Sequence, residues 1–292
     1  MQTRTLGPTD VEVSEIGFGA MHLSLAGRPP EAEALAVLHR VLDLGVTFID
    51  TADSYCRDES DKHHGERLVR KALDAYGGDA ARVVVATKGG LMRPEGRWVR
   101  NGDPEHIRRT IRESVEALGG PPIQLWQHHG PDPEVPVEAS LEPVREAVDE
   151  GLIEHVGVSN YSVAQIERAR EVVEVVSVQN QYSPWHRRPE RDGVLDYCEA
   201  HDLAFLPWGP LGGRRRAKDL DAFEGLVALA GEKGISPQRL VLAWLMARSP
   251  AVLPIPGASR VETAEDSLAA VAVTLTGDEV RRIERAVEQE VR

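Results

Sequence analysis

The chain of 292 residues is poor in cysteine and in long apolar runs. Its two cysteines, Cys56 and Cys198, lie far apart in the sequence, which excludes a disulfide framework and a cysteine zinc cluster. No run approaches the roughly 18 apolar residues of a membrane-spanning helix. The first residues, MQTRTLGPTD, lack the apolar core of a secretory signal. We therefore expect a cytoplasmic protein that does not engage membranes.

Lysine is also scarce, and the charge balance is strongly acidic. The sequence has 47 acidic and 34 basic residues, and its formal net charge of −13 has the wrong sign for a nucleic-acid binder. Only five of the basic residues are lysines, and the other 29 are arginines. A lysine inside an apolar stretch is therefore conspicuous. Lys88, which follows the run VVVAT, is a candidate for chemistry rather than for solvation.

Short apolar runs alternate with helical patterns along the whole chain. Eight runs rich in Val, Ile and Leu are bounded by polar or turn residues, which is typical of parallel strands buried on both faces. They cover residues 15–19, 46–49, 83–87, 123–127, 155–158, 175–178, 204–206 and 252–255. Helical patterns cover residues 31–44, 63–75, 104–118, 136–150, 162–172, 192–201, 220–233, 237–248 and 278–289.

This alternation predicts an α/β fold, a TIM (β/α)8 barrel formed by residues 1–292 as one domain. A doubly wound open sheet is the alternative, but the segment after the first run, GFGAMHL, is not a G-x-G-x-x-G fingerprint. Upstream, Arg4–Ser14 alternates around Gly7 and predicts a β-hairpin. We expect this hairpin to plug the N-terminal mouth of the barrel.

Barrel enzymes carry their chemistry on the loops that follow the strands. At these positions Asp50 and Tyr55 follow the second run, Lys88 the third, and His129 the fourth. A tyrosine is a poor proton donor near neutral pH unless its phenolate is stabilised, which an adjacent ammonium can do. Asp50 can balance that ammonium, and His129 can bind a carbonyl oxygen. The set suits hydride addition to a carbonyl, and no metal-ligand set is evident.

Seven further segments carry a resemblance to a known family. They are FIDTADSY (48–55), VVVATKGG (83–90), IQLWQHHGPDP (123–133), HVGVSNYS (155–162), VSVQNQYSPW (176–185), FLPWGPLGG (205–213) and PIPGASR (254–260). With these segments in this order, the chain resembles the aldo-keto reductases over nearly its whole length. The resemblance implies a catalytic tetrad of Asp50, Tyr55, Lys88 and His129, in which Tyr55 is the general acid. His129 rather than His128 matches because GPD follows it.

The resemblance also implies NADPH-dependent reduction of an aldehyde or ketone, reversible as alcohol oxidation. The nicotinamide positions match Ser159, Asn160, Gln179 and Trp208, and the pyrophosphate loop matches Gly209, Pro210, Leu211 and Gly213. The positions for the 2′-phosphate and the adenine match Gly257, Ser259, Arg260, Asp266 and Ser267. Gly19, Ala20 and Met21, after the first strand, and Asp50 complete the expected cofactor surface.

Two positions depart from the pattern of the family near the 2′-phosphate. A lysine that many members carry is Gly257 here, and a later arginine is Thr263. Arg260 is then the main guanidinium, with the run Arg214–Arg216 as a further candidate. Since an arginine binds phosphate well, we expect NADPH or NADP+ as the cofactor rather than NADH.

The expected partner is a small carbonyl substrate, with neither nucleic acid nor membrane involved, and a monomer is favoured. Residues expected to line its pocket are Met21, Tyr55, Trp98, His129 and Trp185, although Trp98 and Trp185 could equally anchor loops. Two other functions fit parts of the pattern. A Schiff-base aldolase would use Lys88 and need no nicotinamide, and a non-catalytic NADP(H)-sensing regulatory subunit would not need the complete tetrad.

Overall fold

A computed structural model describes residues 1–289 of the chain, with the backbone alone for Arg214, Arg215 and Gln289. Its strands are β1 Thr3–Thr5, β2 Glu12–Ser14, β3 Phe18–Gly19, β4 Phe48–Asp50, β5 Val84–Gly89, β6 Leu91–Met92, β7 Val99–Arg100, β8 Ile123–His128, β9 Ile153–Ser159, β10 Val175–Gln179 and β11 Ala204–Phe205. Its helices are α1 Glu31–Asp43, α2 His64–Ala75, α3 Pro104–Leu118, α4 Val137–Asp149, α5 Val163–Arg170, α6 Arg188–Arg191, α7 Val194–Ala200, α8 Arg214–Lys218, α9 Glu224–Lys233, α10 Pro237–Arg248, α11 Val261–Leu268 and α12 Gly277–Gln289.

Seven strands form one parallel sheet that curls into a closed barrel. The strands pair in the order β3, β4, β5, β8, β9, β10, β11. Residues 251–256 close the remaining gap. On one side Phe205 N donates to Ala251 O at 2.8 Å, and on the other Gly17 N donates to Pro254 O at 2.8 Å. The TIM (β/α)8 barrel expected from the sequence is confirmed.

Some elements differ from the expectation. The eighth run closes the barrel without forming a regular strand, because Pro254 and Pro256 have no N–H to donate. Helix α11, which follows it, was not predicted, since its eight residues, VETAEDSL, give too short and polar a pattern. Strands β6 and β7, which the sequence did not predict, pair as a small antiparallel hairpin.

Capping residues fix several helix ends. The Asp103 side chain accepts a hydrogen bond from His106 N at 2.9 Å, Pro104 occupies the first turn of α3, and Gly119 ends that helix with φ of 91°. Ser236 caps α10 in the same way. Within residues 1–289, no helix combines the length and the apolar character that crossing a bilayer requires.

The N-terminal hairpin of β1 and β2 fills one end of the barrel. Leu6 and Val13 are fully buried in the cluster of inward-facing barrel residues that includes Phe48. Gly7 lies directly against the barrel with φ of 59°, and a Cβ atom there would be 2.2 Å from Val176 O. The hairpin therefore plugs this mouth, as the sequence predicted, and leaves the opposite rim for chemistry.

Candidate active site

The strand period brings polar residues together at the carboxyl end of the barrel. In β4, Phe48 packs in the barrel interior, whereas Ile49 packs outward against the helices. In β5, Val84 likewise points inward. Since alternate residues of a strand share a face, the next inward positions on these two neighbouring strands include Asp50 and Lys88. The fold thus places an acid and an ammonium side by side at the rim.

Lys88 lies at the centre of the predicted tetrad. Its Nζ donates hydrogen bonds to Asp50 Oδ2 at 2.7 Å, to Thr51 O at 2.8 Å and to Tyr55 Oη at 3.1 Å. All these groups are buried, and Lys88 is 0 % exposed. Because Tyr55 Oη accepts a bond from Lys88, the tyrosine proton remains available for another acceptor.

The Asp50 carboxylate is bound from a third and a fourth strand as well. Gln179 Nε2 donates to Asp50 Oδ1 at 2.9 Å, and Gln127 Nε2 donates to the same oxygen at 3.2 Å. Sequence reasoning missed Gln127, although it lies two residues after the inward-facing Leu125 in the same strand. The strand period was the signal that could have found it.

The structure places His129, rather than His128, beside Tyr55. The two rings are 5.8 Å apart between centroids and nearly perpendicular, and Ser54 Oγ lies 3.4 Å from His129 Nδ1. His128 points out of the barrel, where its Nδ1 lies 2.6 Å from Tyr161 Oη. The adjacent histidines thus have separate environments, as the alternation of a strand requires.

Burial and ion pairing set the protonation of these groups. Burial raises the pKa of Tyr55, while the Lys88 ammonium acts in the opposite direction. The sequence predicted a pKa lowered by the ammonium, but the effect of burial is larger. Burial alone would lower the pKa of Lys88, but Asp50 and Tyr55 more than offset it and the pKa is raised. Burial, helped by Lys88, holds the pKa of His129 well below its usual range. At neutral pH the site holds a protonated tyrosine, an ammonium and a neutral imidazole.

The residues expected around the nicotinamide converge next to the tetrad. Ser159 Oγ donates to Gln179 O at 2.8 Å, and Asn160 Nδ2 donates to Ser159 Oγ at 3.1 Å. Trp208 Nε1 donates to Asn160 Oδ1 at 3.0 Å, and the indole is 36 % exposed. These hydroxyl and amide groups beside an exposed aromatic ring fit a nicotinamide and its carboxamide.

The residues expected around the phosphates and the adenine lie along the same rim. Gly209 and Gly213 have φ of 64° and 89°, which glycine adopts without strain. A Cβ atom at Gly257 would lie 2.8 Å from Gly19 O, so the strand contact accounts for the missing lysine. Arg260, at the start of α11, is exposed and bonds only weakly to Thr263, at 3.4 Å.

Other residues of the expected cofactor surface show varied environments. Both carboxylate oxygens of Asp266 are engaged, one by Arg239 at 2.7 Å and the other by Ser236. Ser267 is buried, as are Ala20 and Pro210, while Met21, Leu211 and Ser259 are half-buried. The side chains of Arg214 and Arg215 lie outside the described part of the chain.

The two tryptophans expected in the substrate pocket separate. Trp98 lies next to the tetrad, with ring centroids 6.4 Å from Tyr55 and 6.3 Å from His129. Trp185 packs instead at 5.4 Å from Phe223, with the Arg216 guanidinium 5.0 Å from its ring. The structure therefore brings Trp98, and not Trp185, next to the rings of Tyr55 and His129.

A second set of buried ionisable groups lies in the loop after β4. Asp53 is fully buried, and Lys62 Nζ lies 3.5 Å from its Oδ2. His63 is buried between Glu66, 2.6 Å from its Nδ1, and Glu113, 3.2 Å from its Nε2. Burial raises the pKa of Asp53 to about 7, although Lys62 opposes the change.

Replacing Asp53 by asparagine should stabilise the protein above pH 7 and change little below pH 4. The folded-state pKa of about 7 exceeds the ordinary value near 3.9, so stability is lost as the pH rises between these two values. We expect the free energy of unfolding to increase by about 1–3 kcal/mol at pH 8 and to change little at pH 4. Urea unfolding at these two pH values measures it. Asp10→Asn, at an exposed position, is the control. An equal effect of Asp53→Asn at both pH values would contradict this assignment.

The fold and the site together define a barrel oxidoreductase. The chain belongs to the aldo/keto reductase family, whose model matches residues 15–288. An uncharacterised oxidoreductase of Schizosaccharomyces pombe is 37% identical over 282 residues, which are 95% of this chain and 88% of the relative. Pyridoxine 4-dehydrogenase of Escherichia coli is 33% identical over 286 residues, which are 94% of each chain.

Solved structures show the same likeness. An aldo-keto reductase from Bacillus halodurans, in its holo form, superposes with a TM-score of 0.79 at 27% identity, covering 98% of this chain and 96% of that one. An aldo/keto reductase from Klebsiella pneumoniae, in complex with NADP and acetate, gives a TM-score of 0.79 at 25% identity, covering 94% of this chain and 91% of that one.

Proposed function

We propose that this protein is an NADPH-dependent reductase of aldehydes or ketones, with Tyr55 as the general acid, and that it also runs the reverse alcohol oxidation. The observation that carries the proposal is the position of Lys88 Nζ. It bonds Asp50 at 2.7 Å and Tyr55 Oη at 3.1 Å inside a buried site, with the neutral His129 alongside. This arrangement supports both proton donation and oxyanion stabilisation at one point.

In this mechanism each residue of the tetrad has a distinct role. A dihydronicotinamide held at Ser159, Asn160 and Trp208 would supply the hydride. We assign the proton of the neutral His129 to Nε2, because Ser54 Oγ, 3.4 Å from Nδ1, can donate to that nitrogen; the Nε2 proton then binds the carbonyl oxygen. Tyr55 gives its proton to the same oxygen as negative charge develops there. The Lys88 ammonium stabilises the phenolate that remains, and Asp50 keeps that ammonium charged and in place.

The same geometry weighs against the aldolase alternative. A Schiff-base lysine must be neutral to attack a carbonyl. Lys88 donates three hydrogen bonds, one of them to the Asp50 carboxylate, and its pKa is raised. It is therefore suited to remain an ammonium.

For the cofactor, we assign the nicotinamide to Ser159, Asn160 and Trp208, the pyrophosphate to the loop after Trp208, and the 2′-phosphate to Arg260. The exposed guanidinium of Arg260 supports NADPH over NADH, because arginine binds a phosphate through two parallel hydrogen bonds. The Klebsiella pneumoniae relative, solved with NADP, is consistent with this choice. The named activity of the Escherichia coli relative makes pyridoxal a first substrate to test.

The function is tested by following NADPH and NADH absorbance with a panel of aldehydes and ketones, pyridoxal included. We expect consumption of NADPH that depends on the carbonyl compound. Arg260→Ala should weaken NADPH binding by about 10–100-fold, the value of a charge-assisted hydrogen bond to phosphate, and leave NADH binding unchanged. Binding is measured by quenching of protein fluorescence.

Arg281→Ala, at an exposed position on α12, is the matched control for the loss of one guanidinium. NADPH binding without consumption of any carbonyl compound would favour the NADP(H)-sensing subunit. Equal weakening of NADPH and NADH by Arg260→Ala would remove Arg260 from the 2′-phosphate site.

A further inference from the structure

Arg93 is a buried arginine whose guanidinium bonds no carboxylate among the residues that the structure describes. Its side chain is 5 % exposed, and Nε and Nη1 have no hydrogen-bond partner within the described part of the chain. Nη2 makes one long hydrogen bond, to Arg57 O at 3.4 Å. A buried charge is costly unless it is paired. The position of Arg93 therefore calls for another compensating contact.

That contact is the ring of Trp98. The guanidinium carbon of Arg93 lies 3.8 Å from the centroid of the indole, well within cation–π range. Trp98 in turn stands at 90° to the Tyr55 ring and at 67° to the His129 ring. Trp98 nevertheless remains 47 % exposed. The arginine covers part of the indole, and the rest is open beside the tetrad.

The loop that carries both residues is tied down at Arg93. Residues 93–98 connect β6 to β7, and Arg93 N donates to the Glu59 carboxylate. A Cβ atom at Gly96 would lie 3.2 Å from Arg57 O, so the loop rests against the segment 57–59. An exposed tryptophan on a short hairpin has many rotamers open to it. The stack on Arg93 restricts Trp98 to the orientation that faces the catalytic rings.

We propose that Arg93 is a positioning residue that fixes Trp98 as one wall of the substrate site, and that this wall selects carbonyl compounds attached to a flat aromatic ring over aliphatic ones. An aromatic substrate can pack edge-to-face or offset against the indole while its carbonyl oxygen reaches Tyr55 and His129. An alkyl chain gains less binding energy from contact with the indole of Trp98. This inference rests on the proposed function and narrows its substrate class.

The test compares kcat/KM for benzaldehyde with kcat/KM for butanal. Trp98→Ala should lower the ratio of the two values about 10-fold, the value of one well-placed aromatic pair. Arg93→Ala should lower it about 3–10-fold, because the indole is present but no longer oriented. The double variant should be no worse than Trp98→Ala, since Arg93 acts only through Trp98. Arg97→Ala, an exposed arginine in the same loop, should leave the ratio unchanged.

An unchanged ratio in Arg93→Ala, or additive losses in the double variant, would overturn the proposal. If Arg93→Ala does not fold, Arg93→Val, which fills part of the buried space but is too short to stack on the indole, serves the same comparison. If the wild type reduces neither these two aldehydes nor any other carbonyl compound of the panel, the proposed function fails. The ring preference is then tested by calorimetric binding of benzamide, which requires no hydride transfer. Weaker binding to Trp98→Ala and to Arg93→Ala supports the wall, and equal binding removes it.

Discussion

Tyr55→Phe should lower kcat/KM for carbonyl reduction about 1,000-fold, within the usual range for removal of a general acid. Phenylalanine keeps the ring that contacts Trp98 and His129 and loses only the hydroxyl that Lys88 bonds at 3.1 Å. NADPH binding should therefore persist within about 3-fold, since the hydroxyl is not assigned to the cofactor surface. Steady-state kinetics and fluorescence titration with NADPH give the two values.

A second buried tyrosine provides the control for this result. Tyr161 Oη lies 2.6 Å from His128 Nδ1, outside the barrel interior, and Tyr161→Phe removes an equally buried hydroxyl. We expect this variant to retain kcat/KM within about 10-fold. Should Tyr55→Phe keep as much activity as Tyr161→Phe, Tyr55 would not be the proton donor.

Lys88→Met should have two effects, a large loss of turnover and a loss of stability. Removal of one partner of a buried ion pair leaves the other charge uncompensated, at a cost of about 3–5 kcal/mol. Here the Asp50 carboxylate would keep only its bonds from Gln127 and Gln179. Loss of the ammonium also removes the stabilisation of the phenolate, so we expect kcat to fall by at least about 100-fold. Urea unfolding and steady-state kinetics measure the two effects.

The double variant Asp50→Asn/Lys88→Met separates the two effects. It removes both buried charges, so most of the lost stability should return. Turnover should not return, because no ammonium faces Tyr55. A double variant as unstable as Lys88→Met alone would contradict this account of the pair. A double variant with near wild-type turnover would show that the ammonium is not required for catalysis.

Much of the site follows from the period of the strands. Alternation from Phe48 predicts an inward Asp50, and alternation from Val84 predicts an inward Lys88, so the core of the tetrad can be derived from short apolar runs. The same rule assigns different faces to His128, the last residue of β8, and to His129, which follows it, and it finds Gln127. The alternation rule requires that the strand itself is predicted correctly. It fails at residues 251–256, where two prolines interrupt the pairing of strands.

Contacts that loop residues make could not be predicted in this way. Trp98 was a candidate for the substrate pocket, but no spacing related it to Arg93, because their stack depends on a hairpin of two-residue strands. Asp53, Lys62 and Glu113 come from a loop and a distant helix, so no spacing relates them. The direction of the Tyr55 pKa shift depends on how completely the rim is buried, which the packing of the whole barrel decides.

The closure of the barrel at residues 251–256 has a thermodynamic consequence. Pro254 and Pro256 have only carbonyl groups to offer. The hydrogen bonds that join this segment to β3 and the residue before it are therefore donated from one side, by Gly17 and Gly19. We expect the barrel to open locally at this contact more readily than between its regular strands. A dinucleotide that touches both Gly19 and the loop at Gly257 would span it. Occupancy of the site and closure of the barrel would then be linked equilibria, each favouring the other.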